Sequence, residues 1–230
     1  MILSIDTSTT VCSVALHSVD GALISFYELH LEYSHSEYLN QMIEQVLQNA
    51  RLQMSDLAAI AISEGPGSYT GLRIGTATAK GLCYALDIPL IAVGTLEAMA
   101  KEVSPYYGKG TLLCPMIDAR RMEVYTALYD HTLHIVKEVH PKVMEEGAFA
   151  QEMEKYQLVY FGNGAEKCQP ILSTGNSYYV KDIVPSAKQI GILAVEKFKK
   201  EDFKDVAYFE PFYLKEFRTN PSKKNPLGKR

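Results

Sequence analysis

The chain is poor in the groupings that announce a metal site, a disulfide framework or a membrane. Its four cysteines, Cys12, Cys83, Cys114 and Cys168, are scattered and form no C-x-x-C pair. They read as small core residues of a reduced protein. The six histidines include no pair at the spacing of H-E-x-x-H. His131 and His134 are three apart but flank an expected hairpin, so no dedicated zinc site is expected. Every apolar run falls far short of the roughly 20 residues of a membrane span. No charged segment followed by an apolar one opens the chain. These absences predict a cytoplasmic protein without a membrane anchor. A basic excess is also missing. The formal charge is -4 and the pI about 5.9, which is not the footprint of a nucleic-acid binder.

The familiar catalytic loops are missing too. There is no G-x-x-x-x-G-K-[ST] phosphate loop, and Ser68 does not sit in G-x-S-x-G. His35 and Asp6 would have to be recruited from afar to make a triad with it. Gly65, Gly67 and Gly71 give G-x-G-x-x-x-G, one residue off the dinucleotide fingerprint. No βαβ unit with an acidic residue about 20 positions on supports that near-match.

What is present is an ordinary globular composition, 47% apolar over 230 residues, enough for two domains of about 100 residues each. The most distinctive stretch is Ser63-Glu64-Gly65-Pro66-Gly67-Ser68-Tyr69-Thr70-Gly71-Leu72-Arg73-Ile74-Gly75. An apolar run over 57–62 leads into it and a helical pattern over 70–86 leads out. A strand, a glycine-rich turn and a helix start can gather backbone N–H groups around an anion. A bare structural connection is the equal alternative.

Taken in order, strands are expected at 2–5, 12–17, 22–29, 57–62 and 90–93. Helices are expected after Ser34 or Ser36, at 70–86, and over 96–103 capped by Thr95. The first helix carries Leu39, Met42, Ile43, Val46, Leu47 and Ala50 at 3–4 spacing. The turn-rich stretch 105–110 marks a boundary, giving domains at 1–104 and 105–219 and a basic tail at 220–230. Beyond it, strands are expected at 111–117, 123–129, 134–140 and 158–161. Helices follow at 145–155, 165–172 and, capped by Ser186, 187–199.

An internal repeat is visible. Asp6 is followed by Ala15-Leu16, and Asp118 at the same offsets by Ala127-Leu128. Each aspartate ends an apolar strand that enters a meander, and both halves then run helix, strand, helix. Two such halves would place Asp6 and Asp118 on the walls of a cleft. The turn Asp6-Thr7-Ser8-Thr9 suits a phosphate or a Mg²⁺-bound water, and equally an Asx-turn between strands. Arg120-Arg121 reads as an anion contact or a solvated turn. In the helix over 70–86, Gly71, Gly75 and Ala79 recur every four residues, with Ala77, Gly81 and Ala85 nearby. Interior glycines cost about 0.8–1 kcal/mol each relative to alanine, so close approach of a neighbour is expected. That neighbour is either a sheet of the same chain or a helix of another.

Four stretches together resemble the bacterial TsaB (YeaZ) family: the opening Met1-Ile-Leu-Ser-Ile-Asp-Thr-Ser-Thr, His35-Ser-Glu, Gly65 to Gly75, and Asp118-Ala-Arg-Arg-Met-Glu-Val-Tyr125. The likeness covers the first 130 residues well and the rest loosely. It implies an α/β, actin-like ASKHA (ribonuclease H-like) fold with two duplicated βββαβα-type domains. It also implies a part in forming N6-threonylcarbamoyladenosine at position 37 of tRNA. In that scheme TsaD is the transferase, TsaE an ATPase that joins the complex, and TsaB a non-catalytic partner of TsaD. The resemblance implies no intrinsic cofactor, with ATP or ADP held only within the complex, and tRNA met only through it. Copies alone are expected to pair as a homodimer.

Two departures from TsaD weaken an independent activity: the paired-histidine metal motif is absent, and Thr7 replaces the glycine of an actin-type phosphate loop. The phosphate candidates are Asp6, Thr7, Ser8, Thr9, Gly65, Gly67, Ser68 and Asp118. The partner surface is expected on helices 37–50 and 70–86, through His35, Leu39, Met42, Ile43, Val46, Gly71, Arg73, Gly75, Thr78, Ala79 and Leu82. The rival readings are a weak ATPase or phosphotransferase in the Asp6/Asp118 cleft and, less favoured, a peptidase using Ser68.

Overall fold

The computed structural model describes residues 1–31, 35–172 and 175–214. The first half runs β1 (Ile2–Asp6), β2 (Cys12–His17), β3 (Leu23–Leu29), α1 (His35–Ala50), β4 (Ala59–Gly65), α2 (Tyr69–Leu86), β5 (Leu90–Gly94) and α3 (Thr95–Val103). The second repeats it: β6 (Thr111–Asp118), β7 (Glu123–Asp130), β8 (Ile135–Val143), α4 (Ala150–Lys155), β9 (Gln157–Phe161), α5 (Gln169–Leu172), β10 (Ser177–Val180) and α6 (Ala187–Lys199). The sheets have orders β3-β2-β1-β4-β5 and β10-β9-β6-β7-β8, the same path traced twice. In each, an antiparallel meander is extended by parallel strands reached through helices. The repeat glimpsed at Asp6 and Asp118 is therefore a repeat of the whole fold.

β1 and β4 are buried along nearly their whole length, as continuous apolar runs should be when helices cover both faces. One face of the first sheet is covered by α1 and α2. There Leu3, Ile5, Val14, Leu16, Ile60 and Ile62 meet Leu39, Met42, Ile43 and Val46. The other face is covered from the second half of the chain. Ile190, Leu193, Ala194 and Val195 of α6 pack on Ile2, Ala59, Ala61, Ile91 and Val93. Reciprocally, Leu96, Met99, Ala100 and Val103 of α3 pack on Leu113, Ile117, Ala127, Val159 and Phe161 of the second sheet. The boundary at 104/105 thus separates the strands but not the helices, since each half lends its last helix to the other sheet.

After α6 the chain returns to the first half. Lys204 N donates to Leu90 O (2.8 Å), Phe212 N donates to Glu64 O (2.7 Å), and Lys80 Nζ donates to the carbonyls of Ala207 and Phe209 (3.1 and 3.0 Å). Val206 and Phe209 join the first core. Residues 200–214 form a strap along α2, although the sequence assigned them to the second domain.

Local expectations need several corrections. Ser36 lies inside α1, which begins at His35; Ser34 is outside the described residues. Thr95 is the first residue of α3, with Gly94 as its N-cap. The helix expected over 145–155 is only α4, because Gly147 (φ 81) and Phe149 (φ 62) adopt left-handed backbone that a helix cannot include. β10 was not foreseen. It is only four residues long, with Tyr178 exposed and Tyr179 half-buried against the second core, so it carries little apolar signal. Ser186 caps α6 as expected. The basic tail at 220–230 lies outside the described residues.

Candidate functional site

The glycine-rich stretch and the β1–β2 turn form one unit. Ser68 N donates to Ser8 O at 2.6 Å, and Thr7 Oγ1 donates to Gly71 O at 2.8 Å. The glycines are where this turn presses on α2. A Cβ on Gly67 would lie 2.3 Å from Ser8 O, on Gly71 2.0 Å from Thr7 O, and on Gly75 2.3 Å from Thr7 Oγ1. Gly65, at φ 114, takes a backbone shape that other residues rarely adopt. Ser68 is the N-cap of α2, its Oγ accepting from Gly71 N at 3.3 Å. The groups offered to a phosphate are engaged with one another, and Thr7 and Ser8 have no exposed surface.

Asp6, the last residue of β1, is wholly buried. Its Oδ1 accepts from Ser8 N (3.0 Å) and Ser8 Oγ (2.9 Å), which is the Asx-turn alternative. Its Oδ2 has no hydrogen-bond partner. Burial pushes its pKa up to about 6, opposed by the Ser8 N–H and hydroxyl and the nearby Ser63 hydroxyl, and aided by the charge of Glu28. Thr9 O accepts from His35 Nε2 at 2.8 Å. His35 is thus a buried latch between α1 and the turn. It touches neither Ser68 nor Asp6 in any hydrogen bond among the described residues, so the triad does not assemble.

Asp118 occupies the equivalent place in β6 but a different environment. It is half exposed, its Oδ1 is paired with Lys167 and accepts from Arg120 N (3.0 Å), and its own N–H donates to Asn163 Oδ1 (3.0 Å). Lys167 also donates to Arg121 O and Glu123 O. Arg120 and Arg121 are both left-handed and solvent-exposed. The two aspartates are therefore unlike: one buried and half-partnered, the other paired with a lysine. Among the described residues no three His, Cys, Asp or Glu side chains converge as metal ligands.

Most of the residues expected on the partner surface are buried within the chain itself. Leu39, Met42, Ile43 and Val46 are at most 3% exposed, in the core with the sheet. Their 3–4 spacing is the stripe by which α1 buries on its own domain. Gly71, Gly75 and Ala79 are likewise buried, two of them against Thr7. Thr78 and Leu82 are half-buried, and Leu82 packs on the same core. Of the eleven, only Arg73 stands exposed.

What α2 does show to solvent is the complementary stripe Arg73, Ala77, Gly81 and Tyr84, the last 87% exposed. A Cβ on Gly81 would meet nothing within 4 Å. The signal for this stripe was in the sequence: positions offset from the buried ones by two residues. α1 shows Glu37, Asn40, Gln41 and Glu44. α1 carries two acids and no Lys or Arg, whereas α2 carries Arg73 and Lys80 and no acid.

Known proteins share this chain's sequence and shape. A family model described as TsaD, tRNA N6-adenosine threonylcarbamoyltransferase, matches residues 31–219. The tRNA threonylcarbamoyladenosine biosynthesis protein TsaB of Bacillus subtilis is 34% identical over 198 residues, covering 84% of this chain and 80% of that one. The protein of the same name from Escherichia coli is 31% identical over 238 residues, covering 99% of each. The crystal structure of YeaZ from Pseudomonas aeruginosa superposes with a TM-score of 0.76 at 25% identity, over 93% of this chain and 99% of that one. An ADPNP-bound dehydratase activator from Clostridium difficile, at 8% identity and a TM-score of 0.53 over 87% and 96% of the two chains, shares the fold alone. The architecture is the actin-like ASKHA fold. With the family model matching most of the chain and relatives above 30% identity covered over most of their length, the chain belongs to the TsaB (YeaZ) family.

Proposed function

We propose that this protein acts in the formation of N6-threonylcarbamoyladenosine at position 37 of tRNA, as a non-catalytic scaffold and activating partner of the TsaD transferase. The family membership supports the pathway. The observation that carries the non-catalytic role is the sealing of the β1–β2 turn. Where an actin-type fold would present backbone to a phosphate, Thr7 and Ser8 are buried against Gly67, Gly71 and Gly75. Asp118 is held by Lys167, which leaves it poorly suited to hold a metal for phosphoryl transfer.

The docking surface is the exposed face of α1 and α2. Ala77 and Gly81 leave a shallow, low-entropy strip between Arg73 and Tyr84, suited to close approach of a helix. Its charge pattern asks for a partner that is basic opposite α1 and acidic opposite α2. A second copy turned antiparallel meets the same condition, so the protein pairs with itself when alone. TsaE joins the assembled pair, any ATP or ADP binds only there, and tRNA is met through the complex, in the cytoplasm.

Substitution Gly81→Arg tests the surface directly. Since nothing lies within 4 Å of a Cβ there, the fold should persist while TsaD no longer co-purifies. Undiminished co-purification would remove the reading. Calorimetry of the isolated chain with ATP and Mg²⁺ is expected to show no binding. Heat that disappears in Asp6→Ala would favour the phosphotransferase alternative instead.

A further inference from the structure

A second wall flanks the α2 face, and it is built by the far end of the chain. The strap lies alongside α2 and leaves a cleft of about 590 Å³ between them. Thr76 and Ala77 of α2 line it. Tyr69 and Tyr213 close one end with ring centroids 4.9 Å apart, and Lys80 and Glu210 stand on opposite sides. Arg73 lies in it with its guanidinium 5.5 Å from the Tyr69 ring centroid and Nη1 donating to Tyr69 Oη at 3.1 Å. Lys80 is spent on the carbonyls of Ala207 and Phe209. Arg73 has no carboxylate within ion-pair distance among the described residues; Glu210, in the same cleft, does not reach it.

We infer that this cleft receives an acidic side chain of the docked transferase, with Arg73 as its counter-charge and the strap as part of the interface. The inference rests on the reading that α2 meets TsaD. Two features support this occupant over an apolar one, and a third supports the cleft as an interface site. The guanidinium is oriented by an aromatic face yet keeps most of its N–H donors for a carboxylate. The helix beneath carries cations and no acid, so the local field favours an anion. Tyrosine and arginine at a pocket rim are also the residue types that concentrate binding energy in protein interfaces. Glu210 is the one element that opposes the occupant, which makes it the informative position.

The test measures the affinity of the full-length chain for TsaD by calorimetry, at two salt concentrations, for Arg73→Gln, Glu210→Gln and Gly81→Arg. Both glutamine substitutions are at exposed positions; Glu210→Gln keeps the side-chain shape, and Arg73→Gln gives up only the solvent-exposed contact with Tyr69, so thermal melts should stay close to the parent. Arg73→Gln is expected to weaken binding about fivefold to tenfold and to flatten its salt dependence. Glu210→Gln, by removing a like charge, is expected to tighten binding about twofold to threefold. The opposite signs distinguish recognition of an acid from mere loss of packing. If Gly81→Arg abolishes binding while both glutamine variants stay within about twofold of the parent, the cleft is not part of the interface and the docking reading stands. Weaker binding by Glu210→Gln would exclude an acidic occupant. Intact binding by Gly81→Arg would remove the docking reading itself, and this inference with it.

Discussion

Asp6 concentrates the chemistry of single residues in this protein. Its pKa rises from 3.8 to about 6 chiefly through burial, so the folded state holds the proton more tightly than the unfolded one. Its contribution is most favourable below pH 3.8, declines as pH rises through 6, and then stays at its least favourable value. The rise corresponds to roughly 3 kcal/mol. Asp6→Asn is therefore expected to raise stability by about 2 kcal/mol at pH 7.5, its amide able to donate to the unpartnered Ser63 hydroxyl. His17 works in the opposite direction. It is buried with neither ring nitrogen bonded, and burial, then Lys188, lowers its pKa below 6.5. Its contribution is complete above pH 6.5 and is lost as pH falls below it. In Asp6→Asn the two no longer offset, so urea midpoints should fall steadily from pH 7 to pH 5. A flat profile would mean that His17 is not the group responsible. At this scale the sequence identified Asp6 as special but not why. Burial depends on Ser8, Ser63 and α2 arriving together, and no local pattern reports that.

Among elements, α2 shows how one helix carries two kinds of small residue for different reasons. Gly75 faces Thr7 and Ile62, and a Cβ would come within 2.3 and 2.9 Å of them. Gly81 faces open solvent. Gly75→Ala is expected to destabilise by about 2–3 kcal/mol through overpacking, whereas Gly81→Ala should stabilise by about 0.5–1 kcal/mol through helix propensity. Thermal melts of the two variants check both signs. The periodicity of Gly71, Gly75 and Ala79 was legible, and so was its meaning of close approach. The identity of the neighbour was not. The spacing is the same whether the surface approached is Thr7 of the same chain or a helix of another, and only the β1–β2 turn decides it. The apolar stripe of α1 was read as a contact surface for the same reason. Periodicity states that a face is buried without stating by what. The cap at Ser186 and most strand cores were legible because their signals are local.

For the whole molecule, the exchange of α3 and α6 makes the halves interdependent. Residues 1–104 alone would leave Ile2, Ala59, Ala61, Ile91 and Val93 uncovered where α6 belongs. That fragment should lack the near-ultraviolet circular dichroism of a packed core, and adding residues 105–214 in trans should restore it. A native-like spectrum from 1–104 alone would refute the interdependence. The duplication was legible from Asp6, Asp118 and the order of elements. The exchange was not, since it couples segments nearly 190 residues apart in the chain, from Ile2 to α6. It also bears on synthesis. At ~5–20 residues per second, the ribosome needs on the order of ten seconds after finishing β4 to deliver α6. Throughout that interval the first sheet is held with one face open, so the nascent chain, rather than the finished protein, is the species most exposed to aggregation and most in need of a chaperone.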